Sequence, residues 1–259
     1  MRGLTAAGES APDLKSLRGP EAPRDFEIIP AFSDALRDEV YRIRHQVYCE
    51  ELAYEPQRPD RRERDEYDAH SVHLLIRSAQ IGEFIGCTRL VRTRPDDPHC
   101  PLPFERTCAA TLDRSIVDPA KLPRHSIGEV SRLAVLAGFR KRRSEEGRES
   151  GSSQNFGALT YRQFPHLFAE LYLGIIELAR MNGIDILFVL SEERLARHLR
   201  IIGFKVQTIG APIEHRGQRL PSMISDFHSV IVRQLFTPFA AQAVEEPCGI
   251  GGISVGLRR

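Results

Sequence analysis

Ile127-Gly128-Glu129-Val130-Ser131-Arg132-Leu133-Ala134-Val135 is an apolar strand interrupted by two charges. A charge inside a central strand is costly to bury unless a partner of opposite sign meets it. Glu129 and Arg132 stand three apart, so in a regular strand their side chains leave the sheet on opposite faces. Both reach one cleft only if a bulge adds a residue between them, and that bulge is the expectation here.

Working outward, Arg89 breaks the apolar run Cys87-Thr88-Arg89-Leu90-Val91 in the same manner. Arg44 lies in a helical stretch where Leu36, Val40, Ile43 and Val47 mark one face. Tyr48, four residues after Arg44, shares its side. Asp65 and Asp68 fall in a charged segment, 54–70, that also holds Pro56 and Pro59 and reads as a long loop. A loop of that length is functional or mobile by default. Together these three arginines and three carboxylates sum to zero charge, which points to a closed ion network at the carboxyl side of a sheet. Such a network either pins the loop to the sheet or frames a site, since ion pairs perturb carboxylates in both settings.

Around this core the chain alternates strand and helix signals. Phe26–Ile29 is a short strand closed by Pro30, and Ser33 is placed to cap the following helix. Strands at 71–78 and 84–91 form a hairpin, then a Pro-rich excursion runs over 93–125. A polar insertion covers 139–164, and a helix over 165–182 stops at Gly183. A buried strand at 184–190, a helix at 192–202 closed by Gly203, a strand at 204–209 and a last strand around 227–232 complete the order. This order predicts an α/β or α+β domain, a mixed sheet with helices on its faces. The domain is expected over 25–235, with 1–24 as a flexible leader and 236–259 as a loose glycine-containing tail.

Composition narrows the function. With 36 basic against 35 acidic side chains the net charge is +1, which argues against nucleic acid as a partner. The five cysteines form no CxxC pair, so the reading is reduced thiols with neither metal nor disulfide framework. No apolar run of the ~18 residues that span a bilayer is present, and a cytoplasmic chain with at most peripheral membrane contact is expected.

Arg44-x3-Tyr48-x5-Tyr54, Asp65-x2-Asp68, Arg89 and Glu129-x-Ser131-Arg132 resemble, in order and spacing, the pattern of LuxI-type autoinducer synthases. Those enzymes carry Arg, Phe and Trp at the first three positions, then two Asp, an Arg and Glu-x-x-Arg. The wider group includes N-acyl amino acid synthases and acyltransferases of exosortase and PEP-CTERM systems, all similar to the GNAT acetyltransferase fold. The resemblance spans about residues 26 to 232 and is nearest the exosortase-associated branch, through 41–50 and 129–135. It implies a GNAT-like N-acyltransferase domain with a mostly antiparallel sheet and helices on both faces. Tyr48 and Tyr54 depart from the lactone synthases, which makes an amino acid or related amine the safer acceptor class than S-adenosylmethionine.

The resemblance also implies a mechanism: the acceptor amine attacks an acyl thioester directly, with no permanently bound cofactor. Glu129 is the candidate base, with Arg132 and Ser131 as catalytic companions. Ser131 either passes a proton to the leaving thiol or is a structural hydroxyl. Arg44, Tyr48, Tyr54, Asp65, Asp68 and Arg89 are the substrate-binding candidates. A carboxylate of ordinary pKa, near 4.3, is a weak base for an amine, so the site must raise it or relay through water. Backbone N–H groups at the bulge would meet the charge developing on the thioester oxygen.

The donor that the resemblance implies is an acyl-phosphopantetheine thioester on acyl carrier protein or coenzyme A. Arg148-Glu149-Ser150-Gly151-Ser152-Ser153 is a poor version of the pyrophosphate-cradling loop of coenzyme A users. Arg140-Lys141-Arg142-Arg143 reads either as a solvated loop or as a docking patch for an acidic carrier protein. Leu171, Leu173, Ile175, Ile176 and Leu178 either line an acyl tunnel or are plain core.

Overall fold

The structure is a computed structural model that describes residues 26–94, 96–140, 165–201 and 203–227. Strand β1 (Phe26–Pro30) leads into helix α1 (Asp34–His45). Ser33 caps α1 as expected, its hydroxyl accepting from the Leu36 N–H at 3.3 Å. Asp34 in the first turn and Arg42, Arg44 and His45 in the last complement the helix dipole. The helix continues into one π-helical stretch, Gln46–Glu51, which carries Tyr48.

Strands β2 (Ser71–Ser78) and β3 (Phe84–Arg92) form the expected hairpin. Next come a short helix α2 (Pro103–Thr107), β4 (Ile127–Val135) and a single turn α3 (Ala137–Arg140). Helix α4 (Pro165–Met181), strand β5 (Ile186–Ser191) and helix α5 (Glu193–Ile201) follow. Strands β6 (Lys205–Thr208), β7 (Ile213–Glu214) and β8 (Gln218–Ser225) end the described chain. Gly183 and Gly203 do stop α4 and α5, at φ of 67° and 99°, a region that side-chain-bearing residues rarely occupy.

The sheet order is β1-β2-β3-β4-β5-β8-β6, with β7 paired to β8. Among the described strands only β4 and β5 run parallel; every other pairing is antiparallel. Helix α1 covers one face, where Val40 and Ile43 pack with Leu75, Cys87 and Ala134. Helix α4 covers the other, where Leu167 and Leu171 pack with Ile76, Ile85 and Val135.

A bulge is present, with Arg132 itself as one of its residues rather than with an extra residue between Glu129 and Arg132. Arg89 pairs with Ser131 and Cys87 with Ala134, so Arg132 and Leu133 together oppose Thr88. Arg132 takes φ +53°, a left-handed conformation uncommon for a residue with a side chain. Side-chain parity reverses across it: Val130 packs in the cluster with α4, and after the bulge it is Val135 that meets α4 while Ala134 meets α1.

Two features differ from the reading of the sequence. Strand β8 (Gln218–Ser225) was not expected, while the strand expected around 227–232 lies, apart from Phe227 in a turn, outside the described residues. Pro221 hid β8, because proline removes a ladder donor and argues against an inner strand. Here Pro221 sits opposite Ile209, just past the end of β6. Its carbonyl accepts from the Ile209 N–H at 3.0 Å, and the Ile209 carbonyl, which lacks a reciprocal proline N–H, accepts from Asp113 at 2.8 Å. The Pro-rich excursion thus supplies the donor that β8 lacks. The charged segment 54–70 also ends in a 3-10 turn, Glu66–His70, with Asp65 as its cap.

Candidate active site

Strands β4 and β5 pair only over Ile127–Val130 and Ile186–Val189. Beyond Val130 the bulge carries β4 away, and a cleft of about 280 Å³ opens between the two carboxyl ends. Glu129, Ser131 and Arg132 line it together, the outcome the bulge was expected to produce. Tyr48, Tyr54, Asp65 and Arg89 line it as well. Arg44 and Asp68 do not: they lie behind Asp65 and Arg89.

The ion network is closed, but its membership differs from the expected six. Arg44 donates to Asp68 at 2.7 Å and to the buried Glu63. One Arg89 nitrogen reaches Asp65 at 2.6 Å and Asp68 at 2.7 Å. Arg132 meets Asp65 at 3.0 Å and Glu63 at 3.2 Å. Burial alone would raise the carboxyls of Glu63, Asp65 and Asp68, yet the guanidinium groups beside them hold all three below the usual range. Burial likewise opposes the charge on Arg44, and Glu63 and Asp68 outweigh it.

Glu129 stands outside this network. Among the described residues no cation lies within ion-pair distance of it. Its Oε2 accepts from the Phe104 backbone N–H at 2.7 Å. Phe104 stacks on Phe188 with centroids 4.4 Å apart, so the surroundings are apolar. Burial pushes the Glu129 carboxyl up to about 8; the Phe104 N–H, Arg89 and Arg132 each pull it back in part. The excursion 93–125 is what delivers that N–H. Glu105 caps the start of α2 by accepting from the Leu102 N–H at 2.7 Å, and Arg124 grips Glu105 with two nitrogens at 2.9 and 3.0 Å.

The remaining candidates have defined partners. The Tyr48 hydroxyl donates to the Leu133 carbonyl at 2.7 Å, and the Arg132 guanidinium lies 5.7 Å over its ring, so this side chain clasps the bulge. Burial raises its pKa to about 12. The Tyr54 N–H donates to the Tyr48 carbonyl at 2.7 Å. The Ser131 hydroxyl accepts from Arg89 at 3.2 Å.

Several cleft residues escaped the sequence reading. Arg216 and Arg219 enter from the β7–β8 hairpin, paired with Glu55 and Glu192 respectively. Tyr67, Tyr172, Val189 and Leu195 line the cleft too. Among the described residues of the proposed tunnel helix only Tyr172 does so; Leu173, Ile175, Ile176 and Leu178 belong to the core under the sheet, and Leu171 to the cluster beside it. The basic run begins at Arg140, which closes α3, and Lys141, Arg142 and Arg143 lie outside the described residues, as does 148–153. Among the described residues no cluster with metal-ligating composition occurs, and no helix is long and apolar enough to cross a membrane.

Comparison with known proteins bears on this geometry. Residues 43–148 match the family of acetyltransferase (GNAT) domains. No curated protein matches the chain. Among solved structures, the AHL synthase LasI is similar at 20% identity and TM-score 0.54, over 77% of this chain and 89% of that one. The coenzyme A-dependent acyl-homoserine lactone synthase BjaI, solved with SAM and isopentyl-CoA, gives 22% identity and TM-score 0.52 over 81% and 86%. FeeM, an N-acyl amino acid synthase from uncultured soil microbes, gives 14% and 0.50 over 79% and 92%. With a mostly antiparallel sheet splayed between its two parallel strands and helices on both faces, the chain has the GNAT-like acyltransferase fold.

Proposed function

We propose that this chain is an N-acyltransferase that moves a fatty acyl group, long-chain in our reading, from acyl carrier protein to the amine of an amino acid or related small molecule. The observation that carries the proposal is Glu129: a carboxyl raised to about 8, lining the cleft between β4 and β5 and outside the ion network next to it. A base works best when its pKa lies near the operating pH, and this one is far better matched to an amine than an ordinary glutamate.

In this mechanism the amine nitrogen forms a bond to the thioester carbonyl carbon. Its proton passes to Glu129, directly or through one water. Backbone N–H groups at the Arg132–Leu133 bulge stabilise the negative oxygen. The carbon–sulfur bond then breaks and the thiolate takes up a proton, with the Ser131 hydroxyl placed to relay it. Arg89, Arg132 and Asp65 fix the acceptor and the loop, held from behind by Arg44 and Asp68. The run Arg140–Arg143 is proposed to dock the acidic carrier protein, in a cytoplasmic enzyme of the exosortase-associated branch.

The test combines purified protein, long-chain acyl carrier protein and a pool of amines that includes amino acids and S-adenosylmethionine, with acyl-coenzyme A in a parallel arm. New amides are sought by mass. An N-acyl amino acid that Glu129→Gln fails to make is the expected result. Silence across every chain length and both donors overturns the proposal.

A further inference from the structure

We propose that Tyr172 recognises an oxygen function, a hydroxyl or oxo group, on the acyl chain of the donor, and so selects among acyl groups. The inference rests on the acyl-transfer reading above. Tyr172 sits on α4 and is 5% exposed. It packs in one cluster with Val130, Val189 and Leu195, and all four line the cleft. This end of the cleft is therefore apolar, while the other end carries Asp65, Arg89 and Arg132.

Among the described residues, nothing hydrogen-bonds the Tyr172 hydroxyl. Tyr48 shows the usual state of a buried tyrosine in the same cleft, its hydroxyl spent on the Leu133 carbonyl. Buried polar groups are normally paired, and one left open on a cavity wall points to a ligand that completes it. The amine and the thioester carbon must meet beside Glu129, so the part of the substrate left for the apolar end is the acyl chain. A phenol donates to an oxo group and both donates to and accepts from a hydroxyl. A plain chain entering this end strips the phenol of water and returns nothing. An oxygen-bearing chain restores the bond, and sites of this type reject the ligand that lacks the partner group.

The experiment gives wild type and Tyr172→Phe an equimolar mixture of plain acyl chains and their hydroxy- and oxo-substituted counterparts, as decanoyl and hexadecanoyl thioesters on acyl carrier protein with the coenzyme A thioesters in a parallel arm, together with pooled amino acids, and reads the ratio of products by mass. A ratio taken within one sample does not depend on how much of the variant is folded. Wild type is expected to favour the oxygenated chains by about tenfold, and Tyr172→Phe to bring the ratio close to one, chiefly by gaining on the plain chain. The same ratio in both proteins overturns this inference alone. No product from any donor overturns the acyl-transfer reading and this inference with it.

Discussion

Asp68 and Glu129 are two carboxylates beside one sheet, the Asp68 side chain largely buried and Glu129 buried outright. They behave in opposite ways. Arg44 and Arg89 hold Asp68 ionised against its burial, whereas Glu129, lacking such partners, is driven up to about 8. Burial sets the size of the penalty, and the neighbouring charges decide whether it is felt. A region of paired charge keeps its protons fixed and supplies shape; the unpaired carboxylate next to it is the group able to exchange one.

The largest expected effect breaks the paired side. Arg44→Met leaves Glu63 and Asp68 buried without their main counter-charge and should lose about 3–5 kcal/mol of stability, seen as a lower urea midpoint or insoluble protein. A variant as stable as wild type would show that these pairs do not hold the loop to the sheet. On the unpaired side, Glu129→Gln should fold normally and lose at least about a hundredfold in amide formation. Unchanged turnover in folded protein would remove Glu129 from the mechanism.

The two regions should also respond to pH in opposite directions. Glu129 binds its proton more tightly folded than unfolded, so its contribution is complete below the ordinary glutamate pKa and is lost as pH rises through about 8. Glu63, Asp65 and Asp68 have depressed values, so their contribution is complete above the ordinary carboxylate range and is lost as the solution is acidified through those values. Urea titrations across pH should therefore show wild type losing stability towards alkali with Glu129→Gln nearly flat, while both weaken in acid. Through the same carboxylate, wild-type kcat/KM should rise with pH and level off above about 8. A profile flat from about pH 6 to pH 9 would contradict the raised value. The smallest effect is reserved for the rim: Arg216→Ala releases a partly exposed pair with Glu55 and should change stability by less than about 1 kcal/mol, with a several-fold rise in acceptor KM and little change in kcat. A larger loss of stability would extend the paired region to the hairpin.

Much of this contrast is legible in the sequence itself. Arg89, Glu129 and Arg132 declare themselves by breaking apolar strands, and the three-residue spacing of the last two calls for a bulge, found with Arg132 as one of its residues. Glu63 does not, because it sits in a run from Arg58 to Glu66 where every residue but Pro59 is charged and no periodicity separates inward from outward. Its burial depends on the path of the loop, which is a tertiary property. The isolation of Glu129 is equally hidden: six charges that sum to zero resemble one cluster until distances show that Glu63 takes the place assigned to Glu129. Phe104 and Tyr172 carry no polar anomaly. Phe104 acts through its backbone, and Tyr172 has the setting of an ordinary core residue on an apolar helix.

The bulge in β4 makes residue count itself a gauge. Upstream of Arg132 the strand is in step with the cleft, and downstream it is in step with α1, so the two halves of the domain are keyed to the same ribbon half a pleat apart. An insertion in a connecting segment lengthens a loop; one residue added or removed between Glu129 and Ala134 would turn either the carboxylate or the helix contact to the wrong side. That short interval has little freedom to change length.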